Sequence, residues 1–483
     1  MSLKNKSSTP RPPGQDPWSR PTVQQGRLRF GRAGLDPSTP ELSEPIITVG
    51  IMDRQNEVTG RLNGDFYGDG LGPLSGRFSA RAMSGIVILT DEYDREIIRS
   101  PWIRLKAHND STFTLFHVTI GKNFHWERKE EQTFQGDMVI KPREDGTITA
   151  INEIRLEDYL KSVVSSEMSA TAPEEFLKVH AILSRSWLLA ALYKKKKTQG
   201  ISTQAGKITG KEGEIIHWYE QENHDLFDVC ADDHCQRYHG ITKIISNSAE
   251  KAVRGTCGQV LMYRGEICDA RYSKACGGIT EDFETAWDDR HVPYLTSIPD
   301  APIFHHAIRT EKEAIRWILS EPEAYCNTND TGILKKILPD FDLETKDFFR
   351  WTITYPRKEL EEILKGKSGI DFGVLKEIQP LRRGPSGRIF RLKIVGSKIS
   401  IVAGKELEIR RWLSRTHLYS SAFIVNANYN SHGEVEQFTF HGAGWGHGVG
   451  LCQIGAAVMA SKGFRTEEIL RHYFSGIEIQ KIY

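Results

Sequence analysis

Residues 155–193, RLEDYLKSVVSSEMSATAPEEFLKVHAILSRSWLLAALY, decide the fold. Leu156, Tyr159, Leu160, Val163, Val164 and Met168 recur at three- and four-residue spacing, the period of a helix with one buried face. Pro173 with Glu174 and Glu175 opens a second helix, because proline suits a first turn and acids suit the positive end of the helix dipole. Its periodicity runs through Tyr193, so two helices are expected to pack as a pair. The four lysines at 194–197 fall where that helix ends, a solvated position that favours cations, and need no anionic partner.

Upstream, residues 46–150 alternate β-branched runs (IITVGIM, SGIVILT, FTLFHVTI, GDMVIK) with Gly, Asp and Asn clusters, which predicts a β-rich N-terminal domain. Residues 1–45 hold eight of the twenty prolines and few apolar residues, the composition of a disordered leader. Downstream, the core that begins at 151 extends to about 300. Residues 301–400 read as an α+β insertion, with helical EKEAIRWIL and strand-like RIFRLKIVG. Residues 401–483 return to the core: the glycine-rich HGAGWGHGVG (441–450) runs into a helix over LCQIGAAVMASK, Gly463 stops it, and a last helix starts at Thr466. The fold class is therefore α+β: a mostly β first part, a packed helix pair, and a mixed remainder with an inserted module.

Composition narrows the functional classes. Lys plus Arg number 64 against 63 Asp plus Glu, a formal net charge of +1, so charge gives no argument for nucleic acid or an anionic membrane. No stretch approaches the roughly 20 apolar residues of a membrane span. The N-terminus has basic residues without an apolar segment after them, so no secretory signal is read there. Seven cysteines are an odd number and too sparse for a disulfide scaffold.

Three constellations offer chemistry. Glu167 lies four residues after Val163 and seven after Leu160, on the apolar stripe of its own helix. A carboxylate there is costly, and burial favours its protonated form, the form a general acid uses; the bland alternative is a helix-end residue paired with a base. On the second helix His180, Ser184 and Trp187 share one stripe, so a polar edge is expected to face Glu167, with internal packing as the alternative. The segment HDLFDVCADDHCQRYHG brings His224, Cys230, His234 and Cys235 within twelve positions. Two thiolates and two imidazoles suit tetrahedral zinc, while a disulfide or two reduced cysteines stay open as alternatives. In GWGHGVG, glycines permit close backbone approach to a ligand and Trp445 offers an apolar face for a sugar, with His447, Cys452 and Gln453 following. The loop lacks the Lys and Ser/Thr of a phosphate-binding GxxxxGK[ST].

NEIRLEDYLKSVVSSEM, PEEFLKVHAILSRSW, YSKACGGITED with WDDRHVPYL, and HGAGWGHGVGLCQIGAAVMASKGF together resemble, in this order, the SpoIID/LytB family. The resemblance implies a lytic transglycosylase of peptidoglycan that cleaves between N-acetylmuramic acid and N-acetylglucosamine in strands stripped of stem peptides, with Glu167 as catalytic acid and base. It also implies a structural zinc at His224, Cys230, His234 and Cys235, and a sugar groove lined by Ser184, Tyr272, Ser273, Gly277, Gly278, Trp445, His447 and Gln453. The LytB half of the name carries a rival reading, a non-catalytic enhancer that binds a cell-wall amidase or glycan. Either role implies the cell envelope or periplasm. Ser169 after EM, His180, and LCQ at 451–453 depart from the usual pattern, where proline, glutamine and MSQ are common.

Overall fold

The computed structural model describes residues 43–68, 70–122, 127–197, 208–209, 213–217, 224–303, 305–339, 342–343 and 347–483. The expected leader lies, up to residue 42, outside the described residues. The described residues from Ile46 to Arg155 are all strand and turn. The strands form an antiparallel sheet system in which Ile46–Gln55 pairs with Ile148–Arg155, and that with Asp137–Pro142. Half-buried alternation is clearest in Glu57–Tyr67, where Val58, Leu62 and Phe66 face the core and charged neighbours face out.

A short strand from far downstream, Val229–Cys230, adds to the edge of this sheet in parallel, Val49 opposite Val229 and Gly50 opposite Cys230. The Thr48 hydroxyl and backbone N–H both donate to Asp228 Oδ2, at 2.8 and 3.0 Å, and fix the register. The segment bearing four candidate metal ligands is thereby anchored to the β domain.

Helix α1, Leu156–Glu167, follows the last strand without a linker, and α2, Glu174–Lys197, packs on it. Both helices stand where the three- and four-residue periodicity expects them, but α1 is more enclosed than one apolar stripe requires: Ser162, Ser165, Ser166 and Glu167 are buried with the aliphatic face. Serines this small permit close packing on several sides, and Ser165 returns its hydroxyl proton to the Lys161 carbonyl one turn back. A fork of two bonds from buried Arg185 to Glu157, at 2.8 and 2.6 Å, clamps α2 to α1. Beyond the pair, Gln453–Ser461 and Thr466–Tyr473 are the two helices expected after the glycine-rich loop.

One continuous hydrophobic core joins the β domain, the helix pair and the C-terminal helices, from Ile47 to Ile477. A second core is built from Trp351, Leu360, Ile394, Trp412, Phe423 and Phe440 among others, so it draws on residues either side of position 400. Its outer sheet pairs Arg350–Pro356 with Val435–Ala443, which delivers the chain directly into the glycine-rich loop. No helix among the described residues is long and apolar enough to cross a membrane.

Candidate functional site

Glu167 ends α1 with 7% of its surface exposed. Its Oε1 accepts the backbone N–H of Arg237 and the hydroxyl of Tyr272, both at 3.0 Å. Among the described residues Oε2 accepts no hydrogen bond. Lys274 donates to the Glu167 carbonyl oxygen at 3.0 Å and pairs with Asp342 at 2.8 Å, while the Arg237 guanidinium pairs with Asp233 at 2.6 Å. Each of these two cations thus has a carboxylate partner of its own.

Behind Tyr272 lies a second layer. The Tyr272 ring meets the ring of buried His180, centroids 4.9 Å apart. His180 Nδ1 is 3.1 Å from Ser184 Oγ, and its Nε2 is 2.9 Å from the Gln453 amide nitrogen. Burial, with the Lys274 ammonium nearby, lowers His180 to about 3, so the ring is neutral. An amide nitrogen can only donate; Nε2 is thus the acceptor, and Nδ1 keeps the proton and donates it to Ser184. The expected approach of α2's polar edge to Glu167 is made indirectly, through Tyr272. Ser184 is fully buried and Gln453 nearly so, and both support the tyrosine from beneath.

The glycine-rich loop runs beside Tyr272 through a parallel pair, Tyr272 with Leu451 and Ser273 with Cys452, and a bridge between Ala275 and Trp445. Its glycines serve this contact. Gly450 sits at φ 74°, where a Cβ would overlap the Arg271 carbonyl oxygen, and at Gly444 (φ 75°) a Cβ would lie 2.7 Å from the Ala275 carbonyl oxygen. The close approach expected toward a ligand is, in the structure, an approach of the chain to itself. Gly277 and Gly278 are buried, the first against Gly444 of the loop and the second against Trp317 and Ala324, and Ser273 Oγ is buried without a hydrogen-bond partner among the described residues. Trp445 has Tyr419 stacked on it at 4.0 Å and Phe348 tilted against it at 5.0 Å, so its ring is largely in use. His447 accepts the Val449 N–H and packs edge-on against Trp287, over which Arg271 lies at 4.4 Å. Of the residues expected to line one sugar groove, the structure brings Tyr272, Ser184 and Gln453 into one cluster with Glu167 and leaves Trp445 and His447 in neighbouring ones.

His224, Cys230, His234 and Cys235 come together, with all four ligand atoms within 4.8 Å of one another. His224 Nε2 is 3.3 Å and His234 Nδ1 3.4 Å from Cys235 Sγ, spacings that suit donors around one tetrahedral ion. The turn needed for adjacent His234 and Cys235 to face one point is supplied by the Asp232 carbonyl, which accepts the Cys235 N–H at 3.0 Å. The next residues complete the connection to the glutamate. Gln236 accepts from the Tyr159 hydroxyl, and Arg237 supplies the N–H on Glu167. Arg237, Lys274, Asp342 and Trp287 escaped sequence reasoning. Arg237 acts through its backbone, which no side-chain pattern reveals, and Asp342 comes from 175 residues away. A second cluster of ligand-type atoms, Cys276, Asp300, Cys326 and Cys452, is entirely buried and was equally invisible, since its members span 177 positions.

Fold and site define an α+β protein in which a His/Cys cluster buttresses a nearly enclosed glutamate. A family model described as Stage II sporulation protein matches residues 144–263, the span that carries both Glu167 and that cluster. Residues 281–450 match a domain of unknown function, DUF8618. Stage II sporulation protein D of Bacillus amyloliquefaciens is 23% identical over 332 residues, 69% of this chain and 76% of that protein. The amidase enhancer of Bacillus subtilis is 25% identical over 243 residues, 48% of this chain and 32% of the enhancer. An uncharacterized protein of Brachyspira hyodysenteriae is 26% identical over 72% of both chains. Over these spans the chain is similar to the SpoIID/LytB group of sporulation and amidase-enhancer proteins.

Proposed function

We propose that this chain works in the bacterial cell envelope as a glycan-binding enhancer of a peptidoglycan amidase. The match to an amidase enhancer supports the partner class. The observation that carries the non-catalytic role is the enclosure of Glu167, whose carboxylate is nearly buried and whose Oε1 is taken by two internal donors. A glycan strand stripped of peptides would lie across the partly exposed Arg271, Tyr272, Trp287 and His447, which are contiguous with Glu167 through the Arg271–Tyr272 peptide. Aromatic rings take the apolar faces of sugars, and the polar groups between them take hydroxyl and acetamido groups. Zinc is the ion that suits His224, Cys230, His234 and Cys235. Four protein ligands leave no open position for a reacting water, so its work is to hold the Gln236–Arg237 segment against α1.

The test is to titrate the protein into an amidase assay on intact peptidoglycan. Wild type and Glu167→Gln are expected to stimulate the amidase equally, and Trp287→Ala to lower affinity for glycan about tenfold. A stimulation lost with Glu167→Gln in a folded protein would reject the enhancer role in this form.

A second reading, cleavage of the strand, is favoured by one specific feature: among the described residues Oε2 of Glu167 has no hydrogen-bond donor while Tyr272 orients the group. There Glu167 in its acid form would protonate the oxygen between N-acetylmuramic acid and N-acetylglucosamine. As carboxylate it would then take the proton of the muramic 6-hydroxyl as that oxygen attacks the anomeric carbon, giving a 1,6-anhydro sugar. The intramolecular nucleophile removes the need for a second carboxylate.

A further inference from the structure

We propose that Cys276, Asp300, Cys326 and Cys452 form a second metal site, a closed tetrahedral centre for a thiophilic divalent ion of the zinc type. Their ligand atoms lie within 4.8 Å of one another and all four residues are buried. Cys276 Sγ and Cys326 Sγ are 3.7 Å apart. That is the edge of a tetrahedron with metal–sulfur bonds of about 2.3 Å. A group of ligands this compact surrounds one ion.

The surroundings fit a metal thiolate. Backbone N–H groups point at the sulfurs: Cys276 and Gly455 donate to Cys452 Sγ at 3.3 and 3.4 Å, and Gly278 donates to Cys276 Sγ at 3.4 Å. Asp300 takes the Tyr473 hydroxyl on Oδ1 and the Cys326 N–H on Oδ2, at 2.5 and 3.0 Å, and among the described residues it has no ion-pair partner. A carboxylate buried without a counter-charge is expensive, and an ion at this point supplies one.

Charge balance points the same way. Arg350 donates hydrogen bonds to the carbonyl oxygens of Ser320, Gly277, Phe349 and Trp317, lies over the Phe349 ring at 4.0 Å, and makes no ion pair among the described residues. Buried Arg388 donates to the Cys276 carbonyl at 3.0 Å. Three thiolates, one carboxylate and a divalent cation sum to a formal charge of −2; the Arg350 guanidinium on the Gly277 carbonyl, and that of Arg388, which also reaches Glu281 through Ser386 Oγ, supply positive charge beside the Cys276–Gly277 turn. A cavity of about 150 Å³ bordered by Cys326, Asn327, Asp347 and Arg350 gives the ion a route in.

The site would staple four distant parts of the chain: the turn after Tyr272–Ser273, Asp300, the segment at Cys326, and Cys452 at the start of the helix that carries Gln453. It holds whichever functional reading of Glu167 stands.

The experiment is metal analysis of the full-length protein, purified without an added chelator, by inductively coupled plasma mass spectrometry. Wild type should carry two zinc per chain, and Cys326→Ser and Cys235→Ser each one. One zinc in the wild type, lost in Cys235→Ser and kept in Cys326→Ser, would overturn the proposal, as would a Cys276–Cys326 disulfide in non-reducing peptide maps. If Cys326→Ser does not fold, cobalt is loaded into a Cys230→Ser/Cys235→Ser double variant, which leaves no thiolate at the first cluster. A thiolate-to-cobalt charge-transfer band supports the second site, and its absence refutes it.

Discussion

Tyr272 reaches Glu167 with its hydroxyl and His180 with its ring, so it couples the carboxylate to the polar layer on α2. A typical intramolecular hydrogen bond contributes about 0.5–1.5 kcal/mol net. Tyr272→Phe should therefore lower unfolding free energy by about that amount, measured by urea denaturation, and should weaken glycan binding. His180 gives a pH signature. Its folded-state value of about 3 lies below the ordinary 6.5, so protons bind the unfolded chain preferentially between those limits. The stability it allows is fully present above pH 6.5 and lost as pH falls toward 3. His180→Gln should flatten that part of the melting-temperature profile, while an unchanged slope would place the acid sensitivity elsewhere, at buried His239 for example, also lowered to about 3 by burial and the Arg237 guanidinium. At this scale sequence was a partial guide: a helical stripe pointed to Glu167, but its holders are a backbone N–H and a tyrosine 105 residues away.

Helix α1 and the strand Val229–Cys230 act together, because the residues after the strand close the His/Cys cluster and then supply Arg237 to the helix end. Removing the ion by a chelator, or Cys235→Ser, should free that segment. Amide hydrogen exchange is expected to rise at 236–239 and at the C-terminal turn of α1, with the β domain unaffected. Exchange confined to the cluster would separate the metal from the glutamate. The glycine-rich loop is a second coupled element. Gly450→Val combines a strained positive φ, about 1–3 kcal/mol, with overlap of the Arg271 carbonyl, and should unfold more easily than wild type by at least that margin. Helix positions were legible because their periodicity is local. The loop's purpose was not, since glycines chosen for contact with the chain itself look the same in sequence as glycines chosen for a ligand.

At the scale of the molecule, a β domain, a helix pair and a second core from Trp351 to Phe440 converge on the Arg271–Cys276 stretch. The strand grammar of residues 46–150 and the helices at 155–193 gave the α+β class, because alternation and 3.6-residue periods survive in a single sequence. Convergence of Cys276, Asp300, Cys326 and Cys452 did not survive in that way, as no spacing rule links them. The most direct test of the account is to incubate purified wild type and Glu167→Gln with denuded glycan strands and examine strand binding and soluble products by mass spectrometry. The account predicts binding by both proteins and no anhydro-muramyl product from either. Anhydro-muramyl fragments released by wild type and abolished by Glu167→Gln would contradict it and establish cleavage at Glu167.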